Sequence, residues 1–148
     1  TIKAAEDTRV KNVITLAGVS DFKTRFPSGL ELNTWKKTGV RFVRNGRTKQ
    51  QMPHYYQFYN DFITNQSRLT IQRAVENLRV PFLIIHGDED TSVSVNEALA
   101  LHNWSLKSQL VIIKGANHVF GSSHPWKLSI APPYFHQIHN EIIDFINN

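Results

Sequence analysis

Val80-Pro81-Phe82-Leu83-Ile84-Ile85-His86 runs directly into Gly87-Asp88-Glu89-Asp90, and the reading of this stretch decides the fold. Its first half is short, continuously apolar and partly β-branched. That is the pattern of a strand buried on both faces, as parallel sheets require, and not the alternation of a half-solvated strand. Pro81 is tolerable because it stands at the start of the run. Two further runs share the pattern: residues 13–19 (Val-Ile-Thr-Leu-Ala-Gly-Val) and residues 110–114 (Leu-Val-Ile-Ile-Lys). Each run ends in a turn signal: Ser20-Asp21, Gly87-Asp88 and Gly115-Ala116-Asn117.

Helices separate the runs. Ser94 is placed to cap a helix reaching about Leu106, with Val95, Ala98, Leu99 and Leu101 as its apolar positions. Phe135, Ile138, Ile142, Phe145 and Ile146 recur at helical spacing over residues 134–146. Residues 1–9 read as the last turns of a longer helix. Strands alternating with helices give an α/β fold with a doubly wound parallel sheet. About sixty residues lie between the first two strands, far more than one crossover needs. Residues 30–38 read as a short helix. Asn45-Gly46 signals a hairpin. Residues 67–78 supply the crossover helix. We expect residues 23–65 to form a cap insertion within a single domain of residues 1–148. Three strands buried on both faces leave at least one edge bare, so strands are expected to be missing.

The 148-residue chain has 41% hydrophobic and 20% charged residues, ordinary for a globular domain. It has no cysteine, which excludes disulfides, thiolate nucleophiles and Cys-ligated zinc. No apolar run is long enough to span a bilayer, and no signal-peptide pattern opens the chain. The cytoplasm is favoured, although nothing here fixes the compartment. The net charge of +5 includes a run of Lys36, Lys37, Arg41, Arg44, Arg47 and Lys49 without an acidic residue. We read it as a solvated basic face, since no nucleic-acid motif accompanies it.

The C-terminal ends of the strands are where open α/β sheets collect their functional groups. The second strand ends in three carboxylates, Asp88, Glu89 and Asp90. The third ends in His118, one αβ unit further on. Adjacent parallel strands would bring the two loops together. A carboxylate accepting from one imidazole nitrogen leaves the other as a general base.

Both segments resemble the last two catalytic segments of the α/β-hydrolase fold, most closely its dienelactone-hydrolase and prolyl-oligopeptidase-like branch. The residues that carry the resemblance are Pro81 to Asp90 and Gly115-Ala116-Asn117-His118. Ala17-Gly18-Val19-Ser20-Asp21-Phe22 resembles the strand end after the nucleophile helix of the same group. The resemblance implies that Asp90 is the triad acid and His118 the triad base. On its residue type Asp88 reads as a turn former bonding its own backbone, and His86, at the end of a buried strand, as a structural residue that hydrogen-bonds the acid loop. The family's Gly-x-Ser-x-Gly elbow has no counterpart in the chain. The resemblance therefore implies the C-terminal half of a serine hydrolase, holding acid and base but not the nucleophile.

The implied reaction is hydrolysis of a small-molecule or peptide acyl substrate, at an ester or amide bond, without a cofactor or metal. The chain alone should then be inactive. Ser20, Phe120 and Trp126 are expected at the substrate pocket. Tyr55 and Tyr59, with Tyr56, Phe58 and Trp35, form an aromatic cluster that either lines an acyl pocket or fills the core of the cap. The expected partner is the missing N-terminal half, or a second copy paired through the exposed sheet edge. Neither nucleic acid nor membrane is expected as a partner. The alternative is a non-catalytic binding module on a hydrolase scaffold.

Overall fold

The structure, a computed structural model, describes residues 1–46 and 48–148. Arg47, part of the basic run, lies outside the described residues. In chain order the elements are α1 (Ile2–Glu6), β1 (Val13–Leu16), α2 (Gly29–Thr38), β2 (Val40–Arg44), β3 (Gln51–Tyr55), α3 (Tyr56–Thr64) and α4 (Gln66–Leu69). They continue with α5 (Ile71–Glu76), β4 (Phe82–Gly87), α6 (Val95–Trp104), β5 (Ser108–Ile113) and α7 (Phe135–Asn147). The chain divides into two compact units, one of Thr1–Ser20 and Ile71–Asn148, the other of Asp21–Thr70.

The first unit holds a three-stranded sheet in the order β1-β4-β5, parallel throughout. All six residues of β4 are buried, as its unbroken apolar run requires of a central strand. Its side chains alternate between two cores. Leu83 and Ile85 join Ala17, Ile113, Phe120 and the α7 residues Ile138 and Phe145. Phe82 and Ile84 join Val13, Val75 of α5, and Ala98 and Leu101 of α6, with Ala4 and Ala5 of α1 packed against them. Burying each such Leu, Ile or Phe is worth about 1.5–3 kcal/mol. Helices pack on both faces of β4, but β1 and β5, expected to be buried on both faces, expose Leu16 and Ile112, and their outer edges have no strand partner among the described residues.

Several boundaries differ from the sequence reading. Strand β1 stops at Leu16 because Ala17 turns the backbone to φ +50°. Strand β5 starts at Ser108, since the register with β4 runs from Phe82↔Ser108 to Gly87↔Ile113. The expected crossover helix over residues 67–78 is broken at Thr70. That residue is extended, and its hydroxyl donates to the Gln66 carbonyl at 2.8 Å, an alternative to continuing the helix. Helix α6 starts where expected, with the Ser94 hydroxyl accepting from the Asn96 amide.

The second unit pairs β2 and β3 antiparallel, closing with Arg44↔Gln51, beside α2, α3 and α4. Its core is aromatic. Trp35, 1% exposed, and Phe62 are buried. Around them Phe26 touches Trp35, Phe58, Tyr59 and Phe62, and Phe22 touches Phe26, Phe58 and Phe62. The Trp35 indole donates to the His54 carbonyl at 2.8 Å, and the Arg41 guanidinium lies 4.6 Å from the ring centre. Among the described residues no helix is long and apolar enough to cross a membrane.

Candidate active site

The site is built where β4 and β5 end side by side. Gly87, the last residue of β4, makes it possible. A Cβ there would fall 2.0 Å from the Ala116 carbonyl oxygen, so only glycine lets the two strand ends approach so closely. Beyond it the acid and base loops are tied backbone to backbone. The Asp88 amide donates to the Ile113 carbonyl at 3.3 Å, and the Glu89 amide to the Ala116 carbonyl at 3.1 Å.

Of the three carboxylates offered by the sequence, Asp88 and Glu89 are exposed and Asp90 is buried. Asp90 Oδ1 accepts from the amides of Ser92 (2.8 Å) and Val93 (2.9 Å). Asp90 Oδ2 accepts from His118 Nδ1 at 2.8 Å, a pair 28 positions apart in the chain. The Asp90 side chain is wholly buried, whereas that of His118 is 42% exposed. One face of the imidazole pair is thus anchored in the protein and the other meets solvent. No other hydrogen bond engages His118 among the described residues, so Nε2 is left as the basic nitrogen.

Burial pulls the Asp90 carboxyl upward. The Val93 amide, the His118 imidazole and the Ser92 amide together outweigh it and hold the group below the ordinary carboxylate range. A carboxyl lowered on folding adds stability above its unfolded pKa, about 4, and loses it as pH falls through the folded value. Urea midpoints measured below about pH 4 should therefore fall more steeply for the wild-type protein than for Asp90→Asn, which has no such proton to take up. Equal slopes would show that the carboxylate is not held as described.

The His118 loop is fixed at three points. Gly115 adopts φ +75°, its amide donates to Asp88 Oδ1 at 2.6 Å, and its carbonyl accepts from the Tyr134 hydroxyl at 2.7 Å. Asn117 Oδ1 accepts from the amides of Val119 and Gly121. Phe120, at φ +51° and 4% exposed, sinks into the core beneath.

One sequence expectation is corrected here. Asp88 does not bond its own backbone; its carboxylate reaches across to Gly115 and straps the two loops together. Phe120, expected at a substrate pocket, is buried and packs in one cluster with Ala17, Ile113 and Ile138. The close approach at Gly87, the strap from Asp88 and the Tyr134 hydroxyl bond were not expected from the sequence. The one signal for them was a glycine standing between a buried strand and a carboxylate loop.

The remaining candidates are not gathered around the Asp90–His118 pair by any described contact within the first unit. The Ser20 amide and hydroxyl both donate to Glu97 Oε2, at 2.6 and 2.9 Å. The half-buried Trp126 donates from its indole to the Ile130 carbonyl at 2.9 Å. In the second unit, Tyr59 belongs to the aromatic core. Tyr55 is exposed on an open groove of about 560 Å³ that Pro53, His54, Phe58 and Asp61 also line.

No protein-family model matches the chain, and no curated protein sequence is significantly similar to it. Solved structures are. A monoacylglycerol lipase from Paleococcus ferrophilus is similar with a TM-score of 0.63 at 14% identity, over 97% of this chain and 62% of its own. Est1E from Butyrivibrio proteoclasticus gives 0.61 at 16% identity, over 99% and 56%. The esterase domain of a Rhodothermus marinus protein gives 0.53 at 20%, over 82% and 48%. The fold is the α/β-hydrolase fold. The chain spans only about half to three fifths of the length of these structures.

Proposed function

We propose that the chain is the C-terminal part of a serine hydrolase of the dienelactone-hydrolase and prolyl-oligopeptidase-like branch, cleaving an ester or amide bond through a Ser-Asp-His triad. The observation that carries this reading is the 2.8 Å contact between a buried carboxylate and a half-exposed imidazole at the ends of adjacent parallel strands. A histidine serving only to satisfy a buried carboxylate has no need to keep its second nitrogen toward solvent.

In the proposed reaction a serine outside residues 1–148 attacks the carbonyl carbon of the substrate. His118 Nε2 takes the hydroxyl proton as the new C–O bond forms. Asp90 keeps Nδ1 protonated and stabilises the imidazolium. The tetrahedral intermediate collapses, and Nε2 returns the proton to the departing alcohol or amine. Water then repeats the sequence on the acyl-enzyme. The oxyanion donors belong to the nucleophile's own turn and an earlier loop, also outside the chain. The strands bearing them would pair with the open edge of β1.

A fluorophosphonate probe tests the reading on the full-length protein. We expect one serine N-terminal to Thr1 to be labelled, and labelling to be lost in His118→Ala. Turnover of an activated ester with no serine labelled, or with labelling of a serine within residues 1–148, would overturn it.

A further inference from the structure

We propose that His86 is a positioning residue of this site, the second imidazole holding Asp90 in place. The inference rests on the acyl-transfer reading above and extends it. His86 lies on β4, between Ile85 and Gly87, and is fully buried. The rest of that strand up to Ile85 is apolar, so a polar ring here requires an explanation. Its Nε2 is 2.8 Å from the Val93 carbonyl oxygen. A carbonyl only accepts, so Nε2 carries the proton and donates. The same nitrogen stands 3.4 Å from Asp90 Oδ2, the oxygen that receives His118. The bond to Val93 is the strong one, and the approach to Asp90 is a longer electrostatic contact from the same N–H.

One ring on the most buried strand therefore bonds the far end of the acid turn at the Val93 carbonyl and lies close to the Asp90 carboxylate at its near end. The amides of Ser92 and Val93 hold Oδ1 from the other side. With Oδ1 taken by the two amides, Oδ2 stands between the longer His86 contact and the bond from His118. The arrangement carries a penalty. His86 Nδ1 is buried and has no hydrogen-bond partner among the described residues, whereas leucine would bring no unpaired ring nitrogen of its own. A buried acceptor left unpaired on the central strand is what one expects when the opposite nitrogen is needed for something other than packing.

The test compares His86→Leu with His86→Gln in the full-length protein, using an activated ester and the downfield proton resonance of His118 Nδ1–H. Gln keeps an N–H near the position of Nε2, and Leu keeps only the bulk. His86→Leu should lower kcat by about 10- to 100-fold, with the downfield resonance lost, because the carboxylate is no longer held in line. KM should stay within about twofold, since no substrate contact is removed. His86→Gln should recover most of kcat and the resonance. Where His86→Leu does not fold, His86→Asn serves in its place, since its amide is too short to reach Val93. Unchanged kcat and an intact resonance in the folded variant lacking the donor would overturn the role, whatever its melting temperature. Recovery no better with Gln than with Leu would do the same. His118→Ala measured alongside separates the two levels. If it retains wild-type turnover, the acyl-transfer reading itself fails. If it is inactive while His86→Leu is not, only the positioning role fails.

Discussion

On the proposed triad, Asp90→Asn is expected to lower kcat/KM of the full-length protein by about 10⁴-fold, close to 5.5 kcal/mol of transition-state stabilisation, while leaving the fold in place. The reason is the direction of the hydrogen bonds. Two backbone amides, those of Ser92 and Val93, point at Oδ1. An asparagine in this place must turn its carbonyl oxygen toward them, which puts its NH2 group where Oδ2 stood. His118 Nδ1, 2.8 Å from that position, then faces a donor and must become the acceptor. The imidazole proton moves to Nε2, and the nitrogen that should take the serine's proton is already occupied. The same substitution at Asp88 should cost far less, because its oxygen only accepts from the Gly115 amide and asparagine can still do so. Comparing the two variants with one ester substrate checks the assignment. Equal losses at both positions would remove Asp90 from the special role given to it.

The second large effect is structural. Gly87→Ala should destabilise the protein by about 3 kcal/mol or more, read as a lowered urea midpoint at unchanged slope. The added methyl would lie 2.0 Å from the Ala116 oxygen, 2.6 Å from its carbonyl carbon and 3.0 Å from its Cβ. Two of those atoms are backbone, which no rotamer change can move aside. The strand ends would have to part, and with them the bonds from Asp88 to Ile113 and from Glu89 to Ala116. Gly46→Ala is the control. An added Cβ there meets nothing within 4 Å, so a change within about 0.5 kcal/mol is expected. A Gly87→Ala protein as stable as the control would mean that the loops are not packed as described.

How far the sequence could be read depended on whether the cause was local. The three strands were legible because unbroken apolar runs have few other uses in a chain of this length. That a carboxylate of residues 88–90 would meet His118 was legible because adjacent parallel strands one αβ unit apart present their loops together, and the resemblance to the α/β-hydrolases singled out Asp90. The helix break at Thr70 was not, since a threonine can continue a helix or bond back to the preceding turn. Asp88 was misread for a different reason. Its partner is an amide 27 residues away, and composition of the turn alone favours a bond within the turn. Phe120 beside a candidate base looked like pocket lining. Its positive φ, which drops the ring into the core, is a property of the folded loop. For the aromatic cluster the residue types were compatible with either lining or core. Trp35 and Tyr59 fell into the core, and Tyr55 onto the surface.

The rings that pack around Trp35 all come from one uninterrupted stretch, Asp21–Thr70, and the two cores of the sheet draw on none of them. Such a stretch is a transferable block. Recombination with breakpoints near Ser20 and Ile71 would carry its whole interior along and remove no residue from the interior it leaves behind. A lineage could exchange or remodel these fifty positions while inheriting unaltered the strand ends that hold Asp90 and His118.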